Sequence, residues 1–336
     1  METTVATIDF DSFDHGSADE KKIVGNAIAE AFRRQGFLKL VNHGIPRHTI
    51  EELFRWSERF FALPDAIKAK APHPPNPIPN RGYSGVGLEN TSIHGSQENK
   101  VTLIDLKTFL VTKALFDQEC FDQGAEDDRL YANIWLPEDD LPGFRSFMEE
   151  YYRIAYQCQQ RILAALELGL GMAPKTLTGR HSRAENELRL THYPLVPVKQ
   201  LRGGNCTRIS EHTDFGTITL LFQDAVGGLE IEDPLQPGRY RPIESTALDE
   251  MIVNLGDCLQ HWTKGQLRST RHRVHIAQSD LDADPNAILA ERFSVAYFAK
   301  PNRSCSIQSL AAECPPGEQT VGDFLLQRSS TTYGYA

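Results

Sequence analysis

Arg208-Ile-Ser-Glu-His-Thr-Asp-Phe-Gly-Thr-Ile-Thr-Leu-Leu-Phe222 is the stretch on which the reading of the fold turns. It reads as a strand that enters and leaves a bend at Gly216. In a strand, residues i and i+2 point to one face, so His212 and Asp214 converge while Thr213 faces away. A second stretch, Ser269-Thr-Arg-His-Arg-Val-His275, follows the turn-like Thr263-Lys-Gly-Gln266 and also has strand character. There Thr270, His272 and Val274 share one face, and Arg271, Arg273 and His275 the other. Two histidines and one carboxylate on one side of an octahedral ion leave the other side open to a co-substrate and O2, which is what a non-haem Fe(II) site needs. A His-x-Asp by itself is common, and a chain with 11 histidines meets such spacings by chance. A hydrogen-bonded core histidine would read the same way.

A third element adds its own physics. In Arg292-Phe-Ser-Val-Ala-Tyr-Phe298 alternation sets Phe293, Val295 and Tyr297 on one face, with Arg292, Ser294, Ala296 and Phe298 on the other. A guanidinium on the inner face of an otherwise apolar strand is costly without a partner. Its planar fork suits a carboxylate, and Ser294 stands ready to add a hydrogen bond. A dicarboxylate that chelates the metal at one end would reach this pair at the other. The alternative is an ordinary surface arginine at a strand start.

Further motifs follow in order along the chain. They are Gly36-Phe-Leu-Lys-Leu-Val-Asn-His-Gly-Ile-Pro46, Arg81-Gly-Tyr-Ser-Gly85, Asp105-Leu-Lys-Thr-Phe109, Asn133-Ile-Trp-Leu-Pro137, Leu188-Arg-Leu-Thr-His-Tyr-Pro194 and Val253-Asn-Leu-Gly-Asp-Cys-Leu-Gln-His-Trp-Thr263. With these the chain resembles the 2-oxoglutarate/Fe(II)-dependent oxygenases of the isopenicillin N synthase-like group, from about Ala6 to Arg303. The resemblance implies a mixed α+β fold: a distorted double-stranded β-helix (jelly roll) core with flanking helices and a long central helix. It implies His212, Asp214 and His272 as iron ligands, and Arg292, Ser294 and Tyr193 as the clamp on the distal carboxylate of 2-oxoglutarate. One departure is Thr191, where many relatives carry Asn two residues before the tyrosine. His192 falls on the face opposite Tyr193 and is given no role.

The activity implied is oxidation of a C–H bond in a small organic substrate, by hydroxylation, desaturation, cyclisation or ring rearrangement, in specialised metabolism. Fe(II), 2-oxoglutarate and O2 would take part, with succinate and CO2 released and ascorbate as an optional reductant. Asp214 occupies the position that halogenating relatives leave to chloride, which excludes halogenation. Two other readings stay open: an iron oxidase of the same fold that does not use 2-oxoglutarate, and a non-catalytic metal-binding protein. By the resemblance, the substrate pocket draws on Arg81, Tyr83, Phe215, Leu221, Phe298 and the tail around Phe324 to Tyr335. Arg208 precedes His212 by an even four residues and shares its face if the strand is regular; otherwise it pairs with Glu211 or Glu230 at the surface.

The rest of the chain fits one catalytic unit over residues 1–336. Residues 1–180 read as a mainly helical part packed on a core at 185–303 that carries the site, with a tail at 304–336 near the pocket. The periodicity predicts helices over about 20–35, 46–61, 63–69 and 141–170, and strands near 37–41, 187–193, 218–223, 229–232, 251–255 and 292–298. Five prolines between Pro72 and Pro79 break regular structure, and 81–113 reads as loop and irregular strand. Hydrophobic residues make up 40%, enough for a sizeable core, with no apolar run long enough to span a membrane. The start, Met1-Glu-Thr-Thr-Val-Ala-Thr, lacks the basic and apolar regions of a secretory leader. Lys plus Arg total 35 against 45 Asp plus Glu, a net charge of −10, which argues against nucleic acid as a partner. The six cysteines (Cys120, Cys158, Cys206, Cys258, Cys305 and Cys314) form no C-x-x-C pair and read as free thiols of a cytoplasmic protein.

Overall fold

The computed structural model describes residues 4–74, 80–87, 115–116, 118–125, 132–199, 206–275, 284, 286–310 and 314–332. The expectations for Asp105–Phe109, for most of 81–113, for the proline-rich stretch beyond residue 74 and for Tyr335 lie outside these residues. The helices are α1 (Asp11–His15), α2 (Ala18–Arg34), α3 (Arg47–Phe61), α4 (Asp65–Lys68), α5 (Phe144–Leu170), α6 (Asp257–Trp262) and α7 (Val321–Thr332). The principal strands are β1 (Thr7–Asp9), β2 (Phe37–Val41), β3 (Gly82–Ser84), β4 (Glu119–Gly124), β5 (Glu187–Tyr193), β6 (Ile218–Gln223), β7 (Leu229–Asp233), β8 (Gln236–Pro242), β9 (Met251–Leu255), β10 (His272–Val274) and β11 (Arg292–Ala299). None of the described helices is long and apolar enough to cross a membrane.

Local chemistry explains the helical half. Ser17 and Glu20 form a reciprocal capping box at the start of α2, which satisfies two orphan N–H groups. Its buried stripe of Val24, Ile28, Ala31 and Phe32 follows the helical period. Gly36 ends the helix at φ +68, where a Cβ would lie 2.2 Å from the Arg268 carbonyl oxygen. That close approach lets β2 start at once and enter the sheet.

Eight strands form the major sheet in the order β1-β2-β9-β6-β11-β5-β4-β3, antiparallel except for the β1–β2 pair. One face packs on α2, α3 and α5 through a continuous core that includes Leu190, Leu220, Phe222, Val253, Val295 and Tyr297. The alternate residues point the other way, towards a smaller sheet ordered β8-β7-β10. Phe37, Leu229, Ile231, Ile243 and Ile252 close one end of the space between the two sheets. Two sheets facing each other across a lined cavity, with helices behind the larger one, are the jelly-roll plan that the resemblance implies.

The sequence leaves six of these elements unread: α1, β1, β4, α6, α7 and β8. The stretch 257–262 is only six residues long, too short for a helical stripe to show. β8 is a largely exposed edge strand with no apolar alternation to betray it.

Helices α2 and α5 approach so closely that backbone meets backbone. A Cβ on Gly169 would stand 2.0 Å from the Gly25 carbonyl oxygen, and one on Gly25 would stand 2.5 Å from that of Ala165. Gly169→Ala should therefore destabilise the protein by about 1–3 kcal/mol through overpacking. Gly179→Ala, where the nearest atom is Lys175 Cβ at 3.6 Å, should cost less than about 0.5 kcal/mol. Denaturant unfolding midpoints of the two variants check the difference.

Candidate metal centre and its two cavities

His212 and His272 face each other across an isolated antiparallel bridge and exchange both backbone bonds, at 3.0 and 2.9 Å. That pairing brings the two histidine-bearing segments together. The imidazole rings lie 4.3 Å apart, and each Nε2 approaches Asp214 Oδ1, at 3.8 Å from His212 and 3.7 Å from His272. Ligand atoms of these residues lie within 4.8 Å of one another, and no other such group of His, Cys, Asp or Glu occurs among the described residues.

The surroundings fit a metal ion. Each histidine turns Nδ1 to a backbone carbonyl two residues back, Ser210 at 2.9 Å and Thr270 at 3.2 Å. An Nδ1–H donated there leaves the Nε2 lone pair directed at the centre. Asp214 Oδ2 accepts from Thr219 Oγ1 at 2.5 Å and Asn254 Nδ2 at 2.6 Å, which leaves Oδ1 for the ion. Burial alone would raise the Asp214 pKa; the two imidazoles and these hydrogen bonds outweigh it and hold the carboxyl below its ordinary value. A buried, deprotonated carboxylate with two oriented imidazoles is a donor set for a divalent ion such as Fe(II).

Asp257 ties the ligand segments to the rest of the fold. Its backbone N–H donates to the Asp214 carbonyl at 2.8 Å, and its carboxylate accepts from Ser269 Oγ at 2.7 Å and Thr213 Oγ1 at 3.2 Å. Arg328 of α7 donates to the same carboxylate at 2.9 Å, and its guanidinium lies 4.7 Å from the Phe215 ring. The expected tail is thus a helix that reaches the metal loop.

Two cavities flank the triad. The inner one, about 700 Å³ with its mouth, lies between the sheets; Arg292, Ser294, Tyr193, Thr191, Leu221, Leu229 and Val274 line it. Arg292 is fully buried there; burial depresses its pKa. Nη1 donates to Ser294 Oγ at 3.1 Å, Nη2 to Gln223 Oε1 at 3.0 Å and Nε to the Gly227 carbonyl. No described carboxylate lies within ion-pair distance of it. Asp224, whose charge it feels, spends its oxygens on the backbone N–H groups of Phe293 and Val226. The outer cavity is lined by Asn80, Glu187, Arg189, Phe215, Phe298 and Lys300 together with His212 and Asp214.

The sequence-derived candidates divide accordingly. Phe215 lines the outer cavity, Leu221 the inner, and Phe298 both. Arg208 lines neither. The expectation for it assumed a regular strand, but the backbone bends over 208–211, and the Arg208 guanidinium lies 5.2 Å from the Tyr193 ring on which Arg292 also stands, at 4.9 Å. Arg81 is buried at the sheet edge, 3.9 Å from Glu187, and Tyr83 donates to Glu119 at 2.5 Å; both stand off the cavity walls. His192 points away from Tyr193, bonded to Glu119 at 2.8 Å, as alternation implies. Thr219, Asn254, Asp257, Arg189 and Lys300 went unread. For Arg189 the signal was present: it shares the face of Thr191 and Tyr193 on β5.

Comparisons with known proteins agree on the family. The N-terminal model of the non-haem dioxygenase in morphine synthesis matches residues 5–138, and the 2OG-Fe(II) oxygenase superfamily model matches 184–301. The chain is 42% identical to the 2-oxoglutarate-dependent dioxygenase gloF of Glarea lozoyensis, over 96% of this chain and 95% of the relative. It is 41% identical to the proline hydroxylase buaE of Petromyces alliaceus, over 92% and 91%. The crystal structure of full-length Neurospora crassa T7H with alpha-KG and thymine superposes with a TM-score of 0.82 at 30% identity, covering 97% of this chain and 96% of that one.

The triad and its hydrogen-bonded supports should separate in a metal titration. His272→Ala should abolish Fe(II) binding, and Thr219→Val, which releases Asp214 Oδ2, should weaken it about 10–100-fold. His275→Ala, off both cavity walls, should leave it unchanged. Anaerobic calorimetry with Fe(II) reads all three.

Proposed function

The chain belongs to the isopenicillin N synthase-like family of 2-oxoglutarate/Fe(II) oxygenases, and we propose that it oxidises a C–H bond of a small organic substrate in specialised metabolism, using O2 and releasing succinate and CO2. It is a 2-oxoglutarate-dependent dioxygenase. The roles of its residues are our assignment. His212 Nε2, His272 Nε2 and Asp214 Oδ1 hold the iron, with the tautomers set by the Ser210 and Thr270 carbonyls. Bound there with 2-oxoglutarate, the iron supplies activation of O2 and oxidation of the substrate.

What the protein supplies is position and exclusion of water. Arg292 takes the distal carboxylate of 2-oxoglutarate, with Ser294 and Tyr193 beside it. Leu221, Leu229 and Val274 keep the chelating end dry. Thr191 stands on the same wall where many relatives have Asn, and its hydroxyl takes over the polar contact. The observation that carries this reading is Arg292 itself: a fully buried guanidinium with no described carboxylate within ion-pair distance, on the wall of the cavity that also holds the triad. Such a charge is costly unless an anion arrives. The substrate enters by the outer cavity. Proline and thymine, named for two relatives, are the first candidates to try. The free thiols Cys120, Cys158, Cys258, Cys305 and Cys314 fit a reducing compartment such as the cytoplasm.

Anaerobic addition of Fe(II) and then 2-oxoglutarate should produce the weak visible charge-transfer band of the chelate. Arg292→Ala should still bind Fe(II) but need about 30-fold or more 2-oxoglutarate to form the band. Iron binding with no band at any 2-oxoglutarate concentration would make an oxidase that works without 2-oxoglutarate the better reading.

A further inference from the structure

β5 and β11 run side by side, and their paired residues line both cavities. Tyr193 faces Arg292, Thr191 faces Ser294, Arg189 faces Ala296 and Glu187 faces Phe298, with Lys300 just past the strand end. The wall is therefore polar at both ends. At the inner end stand Arg292, Ser294 and Tyr193; at the outer end stand Glu187, Arg189 and Lys300.

The outer end has its own electrostatics. Glu187 is buried and accepts from Asn80 Nδ2 at 3.0 Å and from Lys300 Nζ at 2.7 Å, while Arg81 stands 3.9 Å away. Burial would raise its pKa, but Lys300, Arg189 and Arg81 hold it well below its ordinary value, so it is an anion at neutral pH. It is the one described carboxylate within ion-pair distance of Lys300, and it also serves Arg81. An ammonium carries three N–H groups, and among the described residues Lys300 spends only one. Its side chain, 21% exposed, lines the cavity next to Phe215 and Phe298. Arg189, paired with Asp122 at 2.7 and 3.0 Å, stands one strand step further in along the same wall and lines both cavities.

Resting on the oxygenase reading above, we propose that the outer cavity recognises the carboxylate of a small carboxylic-acid substrate, with Lys300 as the residue that contacts it. Asn80 and Arg189 complete the polar wall, and the apolar part of the substrate lies against Phe215 and Phe298, next to His212 and Asp214. Of the two candidate compounds, proline bears such a carboxylate and thymine does not.

The test reads binding without turnover. Protein loaded anaerobically with Fe(II) and 2-oxoglutarate is titrated with L-proline, the other L-amino acids, their carboxamides and thymine, and perturbation of the visible band reports binding. At least one free acid should perturb the band, and its carboxamide should bind about tenfold or more weakly. Lys300→Met should lose that preference, and Lys300→Arg should keep it. An amide that binds as well as its acid, a Lys300→Met protein that still prefers the acid, or a series in which no acid binds overturns the proposal. The acid–amide comparison in the unmodified protein decides the matter even if a variant misfolds. A band that never forms strikes the oxygenase reading itself, whereas a band with no acid preference strikes this inference alone.

Discussion

Everything at the centre depends on one pair of backbone hydrogen bonds, those exchanged between His212 and His272. They fasten two segments 60 residues apart in register, and in a hydrogen-bonded antiparallel pair the side chains of the two partners stand on the same face. The register therefore brings the two imidazoles together before any metal arrives. A slip of one residue would bring Arg271 or Arg273 opposite His212 and destroy the donor set. Asp257 guards against such a slip by gripping both Thr213 and Ser269, one from each segment.

The second constraint is the price of buried charge. Asp214, Arg292 and Glu187 are all buried, and each is handled differently. Asp214 is fixed by neutral donors on one oxygen and leaves the other for a cation. Glu187 is answered by cations inside the protein. Arg292 is given neutral acceptors only, which orient the guanidinium but do not neutralise it. That contrast is what supports our assignment of Arg292 to an incoming anion and of Glu187 to the fold.

The helices at the back keep this wall in place. Tight α2–α5 packing at Gly25 and Gly169 and the apolar core beneath β5, β6, β9 and β11 immobilise the strands whose other face carries the site. From α7, Arg328 reaches Asp257 and Thr213 and so ties the C-terminal helix to the loop that carries the candidate ligands.

Much of this was legible from residue order alone. The period-2 alternation of 292–298 separates Arg292, Ser294, Ala296 and Phe298 from the core residues, and the structure sorts them the same way, because alternation in a strand is a property of the local backbone. The same holds for Leu190 and His192 against Thr191 and Tyr193, and for the helices with a clear apolar stripe. Arg208 shows the limit. Its expected face followed from counting along a regular strand, and a bend at 208–211 that no local pattern announces sets its guanidinium over the Tyr193 ring. Lys300, Glu187, Asn254 and Thr219 gain their places only when distant strands pair, since what a polar residue does depends on which partner the fold brings to it. The sequence by itself determined most of the longer elements, the candidate His-Asp-His set and the inward face of Arg292, all of which rest on short-range periodicity and residue chemistry. Tertiary structure alone decided how the polar wall divides into two cavities and which charges are left to face a ligand, because those depend on register between strands far apart in the chain.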